Sequence, residues 1–285
     1  MQAAVVTGAS SGIGRATAAL LVEHGWRVFG TVRTEAQAEE LSTTLGPGII
    51  PLRFDLRDGP AIARAAELVA AALGADRLAG LVNNAGLAHF GPLALQPIDD
   101  WQAQIDVNLT GTLRVVQAFL PLLGADRRRN GPPGRIVNIS SVSGRITLPF
   151  TSGYAASKHG LEALSDAMRR ELAIYGIRTI LIQPGAVRTP IWDKVDRPDD
   201  ERFADGDFGR LFAGFKTAFA AAGEKALPSG RFATLVHRAL TTRNPRPRYA
   251  LMRGRLAHWT LPRLLPDHLL DRILIRQFGL SRGTR

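Results

Sequence analysis

The chain has 285 residues, 45% of them apolar and 21% charged, with no cysteine and a formal net charge of +11. That composition is too apolar for disorder and long enough to bury a full core. The missing cysteines exclude disulfides, thiolate zinc sites and cysteine nucleophiles, and no metal site is expected. The charge is uneven: residues 1–230 hold 24 Lys and Arg against 23 Asp and Glu, whereas residues 231–285 hold 12 against 2. A uniformly basic body would point to nucleic acid; an excess confined to the C-terminal segment marks that segment for separate explanation.

In chain order, Ala3 to Val6 reads as a buried strand, followed by a helix from Gly14 to His24 that ends at Gly25. Arg27 to Val32 is a second strand, Glu35 to Leu45 a second helix, Ile49 to Phe54 a third strand and Pro60 to Leu73 a third helix. Leu78 to Val82 is a fourth strand, residues 99–123 are mostly helical, and Arg135 to Ile139 is a fifth strand. A long helix from Tyr154 to Tyr175 and a sixth strand, Arg178 to Ile182, complete the regular part. Apolar strands alternating with helices imply a doubly wound parallel sheet, a Rossmann-like three-layer α/β/α domain. Beyond Pro184 the pattern loosens: residues 190–228 have weak helical periodicity, Arg231 to Thr241 recovers a helix, Tyr249 to Met252 reads as a last strand and Pro266 to Phe278 as a final amphipathic helix. The division expected is one domain over 1–260, with 190–228 a lid, and a basic extension over 261–285.

Met1 runs straight into a strand, with no charged n-region, apolar h-region or cleavage site. The longest uncharged stretch, residues 78–98, is interrupted by Asn, Gly and Pro and does not suit lipid. A cytoplasmic protein is expected.

The first strand runs into Thr7-Gly8-Ala9-Ser10-Ser11-Gly12-Ile13-Gly14. Glycines there let the backbone turn sharply and approach a pyrophosphate lying on the positive end of the following helix. Nucleotide specificity is read at the end of the second strand, where NAD sites usually carry a carboxylate. Val32 holds that place and Arg33 follows. A guanidinium suits a 2′-phosphate, so NADP(H) is the expected coenzyme, with NAD(H) the alternative. At the other end Tyr154 and Lys158 are one helical turn apart. An adjacent cation favours the ionised phenol and so brings it toward proton transfer with an alcohol oxygen. Ser140-Ser141 ends the fifth strand, at the carboxyl edge where such sheets place ligands.

Thr7-Gly8-x3-Gly12-x-Gly14, Asn83-Asn84-Ala85-Gly86, Asn108, Ser141, Tyr154-x3-Lys158 and Pro184-Gly185 together resemble the short-chain dehydrogenase/reductase family over about residues 1–190. That resemblance implies a catalytic set of Asn108, Ser141, Tyr154 and Lys158. Ser141 would polarise the carbonyl, Tyr154 would donate the proton, Lys158 would hold the nicotinamide ribose and Asn108 a relay water. It also implies a coenzyme site of Gly8, Ser10, Gly12, Ile13, Gly14, Arg33, Asp55, Leu56, Asn83, Ala85, Gly86, Tyr154, Lys158, Pro184, Gly185, Val187 and Thr189. Asp55 and Leu56 would lie by the adenine and Thr189 by the carboxamide. Relatives form dimers or tetramers through the Tyr154 helix and the Asn108 helix, so a homodimer or homotetramer is expected.

In the lid, Trp192, Phe203, Phe208, Phe212, Phe215 and Phe219 serve either as pocket lining or as internal packing. They point to a lipophilic alcohol or ketone, in line with a resemblance of the C-terminal text to steroid- and retinol-type members. On the last helix Leu265, Leu269, Ile273 and Phe278 read as one apolar stripe with Arg272 and Arg276 beside it. Such a helix either docks on the domain or lies on an anionic membrane surface. The expected function is NADP(H)-dependent interconversion of a carbonyl and a secondary alcohol. The alternatives are a non-catalytic dinucleotide sensor or scaffold, and a nucleic-acid binder. The former should show damage in the catalytic set, which is intact. The latter should carry aromatic-basic platforms, which are absent.

Overall fold

A computed structural model describes residues 1–189 and 198–281. Seven parallel strands form one sheet: β1 (Ala3–Val6), β2 (Arg27–Val32), β3 (Ile49–Arg53), β4 (Gly80–Asn83), β5 (Arg135–Ile139), β6 (Arg178–Pro184) and, with β7 and β8 set apart, β9 (Arg248–Leu251). Their spatial order is β3-β2-β1-β4-β5-β6-β9, so the direction of winding reverses at β1 and β4. Ligands of open α/β sheets bind outside the carboxyl ends of the strands at such a reversal. The expected doubly wound fold is therefore present, with β9 as its seventh strand.

Period-2 geometry explains the layering. Ala4 and Val6 of β1 join the core under α1 (Gly12–Glu23), α2 (Glu35–Leu45) and α8 (Ser229–Thr241). Ala3 and Val5 join the opposite core, under α3 (Gly59–Leu73), α5 (Thr112–Leu120) and α6 (Ser152–Glu171). Pro51, which cannot donate to a ladder, lies on the edge strand β3.

Helices α4 (Ile98–Ile105) and α5 are joined by a π-helical turn, Asp106–Gly111, inside the stretch expected to be plainly helical. Such turns occur where a backbone is reshaped locally, often at functional sites, and this one contains Asn108. The weak periodicity after residue 190 hides a 16-residue helix, α7 (Gly209–Glu224). Its glycine- and alanine-rich text dilutes the spacing of Phe212, Phe215 and Phe219. It also hides a two-residue pairing of β7 (Val187–Arg188) with β8 (Leu227–Pro228), which ties the chain just after α7 to the chain just after β6. Trp192 lies outside the described residues.

The C-terminal helix α9 (Asp267–Gln277) divides differently from the expected stripe. Leu270, Leu274 and Phe278 are half-buried, whereas Leu269 and Ile273 stand exposed beside Arg272 and Arg276. Contact with the body runs through the end of the segment, where Phe278 and Leu280 join the cluster of Phe150, Phe212 and Phe215. Among the described residues no helix is long and apolar enough to cross a membrane.

A buried polar ladder fixes the centre of the sheet. The Asn83 amide donates to Asn138 Oδ1 (2.8 Å), and Asn138 Nδ2 donates to Ser165 Oγ on α6 (2.8 Å). Replacing Asn138 by Ala strands the Asn83 donor, and each unsatisfied buried group costs roughly 1–3 kcal/mol. Urea unfolding of Asn138→Ala should show a loss of that order, with Asn83→Ala adding less than its separate cost in the double variant.

Candidate active site

The loop after β1 packs so closely that side chains are excluded. Gly8 has φ +66°, and a Cβ at Gly14 would stand 2.2 Å from the Gly8 carbonyl oxygen. Thr7 Oγ1 accepts from the amides of Asn84 and Ala85, and Asn84 Nδ2 donates to the carbonyls of Thr7 and Gly8. The β1 and β4 loops are thereby locked together at the winding reversal.

These loops open onto a cavity of about 700 Å³. Gly8, Ser10, Gly12 and Ile13 form one wall, at the first turn of α1, whose N–H groups lack helical partners. Arg33, Asp55 and Leu56 line one end; Ala85 and Gly86 line the middle; Ser141, Tyr154, Lys158, Pro184, Gly185, Val187 and Thr189 line the other end. Three expected site residues are off the wall. Gly14 lies behind the turn it permits, Asn83 serves the ladder described above, and Asn108 is buried beneath the cavity.

At the first end Arg57, which the sequence reading overlooked, grips Asp55 with Nε to Oδ1 at 2.9 Å and Nη2 to Oδ2 at 3.0 Å. This pair, with the Arg33 charge adding to it, holds the Asp55 carboxyl below its ordinary range. Two guanidiniums thus flank this end of the cavity.

At the second end Lys158 is buried and its Nζ donates to the Ile139 carbonyl at 2.9 Å, tying α6 to the tip of β5. Asn108 braces the same corner. Its Oδ1 accepts from Leu87 N (2.8 Å), and its Nδ2 donates to Leu87 O and to Ser157 Oγ (2.9 Å each). A Cβ at Gly86 would stand 3.0 Å from Asn108 Oδ1, so the glycine makes room for the amide. Ser141 lies on the same wall as Tyr154, and its Oγ accepts from Ser143 N.

The electrostatics correct one expectation. Burial pushes the Tyr154 phenol up, opposed by the Ser141 hydrogen bond, and burial pulls Lys158 down to about 8, opposed by the charge of Glu162. For the phenol, desolvation outweighs the Ser141 contribution, so it is held in its acid form rather than made easier to ionise.

Glu162, one turn beyond Lys158, is a further residue the motif scan missed. Its side chain is only 4% exposed, with Arg248 of β9 at 2.9 Å, Arg145 of the loop after Ser141 at 3.3 Å and Gln183 of β6 at 2.9 Å. Arg248 also reaches Asp166 (2.7 Å). The available signal was an acidic residue on the buried stripe of α6, legible only once that face is known. His89, on the cavity wall, pairs with Asp100 (3.1 Å), which pairs with Arg202 (3.0 Å). Phe215 and Phe219 line the cavity, while Phe203 and Phe212 are buried in the aromatic cluster beside it. Both readings of the aromatic text therefore hold, for different residues. Phe150 takes a left-handed backbone (φ +67°), a conformation that costs roughly 1–2 kcal/mol. Its ring meets Phe212 and Phe215 at 5.6 and 5.4 Å.

A doubly wound parallel sheet with a glycine turn at its reversal and a Tyr–Lys pair facing the same cavity defines a nucleotide-binding oxidoreductase of the Rossmann class. A family model described as short chain dehydrogenase matches residues 2–200, and the chain belongs to that family. It is 36% identical over 276 residues to an NADPH-dependent 3-dehydrocapnine reductase of Ornithobacterium rhinotracheale, covering 97% of both chains. It is 32% identical over 281 residues to human retinol dehydrogenase 5, covering 94% of this chain and 86% of that one. A short-chain dehydrogenase/reductase from Burkholderia phymatum, solved in complex with NAD, superposes with a TM-score of 0.79 at 26% identity, over 96% of this chain and 94% of that one.

Glu162→Gln removes the buried charge that supports the Lys158 ammonium while keeping a hydrogen-bonding side chain. Tyr154 and Glu162 face Lys158 from its own helix; Arg145, Arg248 and Asp166 act on it only through Glu162. A spectroscopic titration of the Lys158 ammonium, by NMR of isotope-labelled lysine, should show a lower midpoint in the variant than in the parent. An unchanged or higher midpoint would contradict the coupling.

Proposed function

We propose that this protein is an NADP(H)-dependent oxidoreductase that interconverts a carbonyl and a secondary alcohol on a lipophilic substrate, with Tyr154 as the acid. One observation carries the reading: Tyr154, Ser141 and Lys158 meet on one cavity wall between a glycine turn and an aromatic lid. The residues fit a dinucleotide. Glycines 8 and 12, Ser10 and Ile13 would hold the pyrophosphate on the first turn of α1. Asp55, Leu56, Ala85 and Gly86 would border the adenosine, with Asn83 behind them as a brace; Pro184, Gly185, Val187 and Thr189 would border the nicotinamide. Bound coenzyme would supply or accept the hydride at the substrate carbon.

The chain's own groups handle the oxygen. Ser141 hydrogen-bonds the carbonyl oxygen and holds it against the phenol. Tyr154, protonated because burial raises its pKa, donates its proton as charge develops there. The Lys158 ammonium then stabilises the phenolate left behind. Asn108 keeps α6 and the Leu87 segment in register, and with them the spacing of Tyr154 and Lys158. Arg33, with Arg57 nearby, supports the preference for a 2′-phosphate. The lipophilic substrate class is supported by Phe90, Phe215 and Phe219 on the cavity wall and by relatives that include a retinol dehydrogenase. Self-association as a homodimer or homotetramer is supported by the exposed Ala156 and Ala163 of α6. Gly160, in the same row, instead packs on Leu109 of this chain.

Tyr154→Phe should lower kcat for carbonyl reduction by about 10²–10⁴-fold while NADPH still binds, as followed by NADPH absorbance and by fluorescence titration. In the parent enzyme the reduction rate should fall as pH rises through about 8, where Lys158 loses its proton. A profile flat from 7 to 9.5 would refute that assignment.

Arg33→Ser should raise the KM for NADPH roughly 10- to 100-fold, the equivalent of one charge-assisted hydrogen bond or slightly more. The KM for NADH should stay nearly unchanged. A parent enzyme that strongly prefers NADH would overturn the coenzyme choice.

A further inference from the structure

We propose that the C-terminal segment, residues 253–277, is an interfacial foot that seats the protein on an anionic lipid surface. Six large apolar side chains of this segment, Leu256, Leu261, Leu264, Leu269, Ile273 and Ile275, are 37–74% exposed. Scattered exposed leucines are ordinary, but six within 20 residues is a density that a solvated surface does not need. Arginines interrupt it at 253, 255, 263, 272 and 276, against acidic residues at 267 and 271 only. On α9, helical spacing puts Leu269, Arg272, Ile273 and Arg276 on one face. Leu270 and Leu274, on another face, are half-buried.

A face that mixes leucine with guanidinium matches the headgroup–acyl boundary, where side-chain methyls enter the acyl region and arginines meet phosphates. No described helix is long and apolar enough to span a bilayer, so the seat lies in the interface plane. A second copy of the chain fits less well. A two-fold contact would press this patch against its own image, setting arginines against arginines. Nucleic acid accounts for the arginines and leaves the leucines without a role.

The foot is continuous with the lid. Phe278, just past α9, packs on Phe150 and Phe215, each with ring centroids at 6.4 Å. Phe215 and Met252 both line the cavity. If the substrate is lipophilic, which rests on the function proposed above, a cavity wall that includes Phe215 and Met252 adjoins the segment that would rest on the lipid.

The test uses the full chain with phosphatidylcholine vesicles, alone or with one third phosphatidylglycerol, read by flotation and needing no turnover. The protein should float with the anionic vesicles and not with the neutral ones. Leu264→Ser/Ile273→Ser and Arg272→Gln/Arg276→Gln should each cut the partition by about tenfold or more, roughly fivefold for each arginine. Both variants should keep the parent's melting temperature and NADPH binding. A variant that melts early is replaced by Leu264→Ser alone, whose side chain is 74% exposed. Failure to float with anionic vesicles, equal flotation with neutral ones, or flotation unaffected by both variants would overturn the proposal. So would a parent dimer, seen by light scattering, that Ile273→Ser dissociates while vesicles bind nothing.

Discussion

Taking the Lys158 ammonium out of water is the constraint around which the active end is built. An isolated charge in a protein interior is costly unless it is hydrogen-bonded and balanced, and here both conditions are met from fixed elements. The Ile139 carbonyl at the tip of β5 accepts from it, and the Glu162 charge, itself held by Arg248, Arg145 and Gln183, supports it from one turn away. The compensation is incomplete, because the group is still drawn down from 10.5 to about 8. Such a shift corresponds to roughly 3 kcal/mol. Its sign is that of a depressed cation: the folded state bears the cost at all pH values below about 8, and the cost is relieved as pH rises from there toward 10.5. Stability is traded for a cation aligned with the phenol of Tyr154.

That arrangement explains why strands as distant in sequence as β5, β6 and β9 converge on one helix. Glu162 draws Gln183 from β6 and Arg248 from β9, while Arg145 returns from the loop that begins at Ser141. A Cβ at Gly144 would lie 3.0 Å from the Lys158 carbonyl and 3.1 Å from Glu162 Cγ, so this loop lies flat on α6. Ser141 and Tyr154 therefore share one support, and a displacement of α6 moves the phenol, the ammonium and the serine loop together. The glycine turn is built by a different device, close backbone approach, and needs no buried charge.

Much of this was legible in the residues, for definite reasons. The sheet was readable because buried parallel strands are continuously apolar, and the glycine turn because its spacing is dictated by backbone geometry. Tyr154 and Lys158 were readable as a pair because one helical turn fixes their relative direction. The lid helix α7 was not, since alanine and glycine carry little amphipathic signal and its phenylalanines divide between cavity and interior. Arg57, Glu162 and the bracing role of Asn108 were not legible either. Each acts through a partner brought close by the fold, from two residues away for Asp55 to 86 for Arg248. The direction of the Tyr154 shift failed for a related reason: a spacing rule reports the neighbouring charge and says nothing of how completely both groups leave water.

The aromatic cluster joins chemistry to the basic C-terminal segment by contact. Phe90 meets the Tyr154 ring edge-on at 6.0 Å and Phe219 at 4.9 Å; Phe219 meets Phe215 at 5.5 Å, and Phe215 meets Phe278 at 6.4 Å. Favourably oriented ring pairs contribute about 0.5–1.5 kcal/mol beyond area burial, so the chain of rings adds apolar cohesion to the Asp100–Arg202 and Asp200–Lys216 ion pairs of the same segment. One wall of the cavity is thus fixed by backbone contacts and buried charge around the glycine turn and Lys158, and the wall with Phe90, Phe215 and Phe219 chiefly by ring packing. The left-handed backbone of Phe150 lies on the ring-packed side of that division, where its cost is offset by the contacts its ring makes with Phe212 and Phe215.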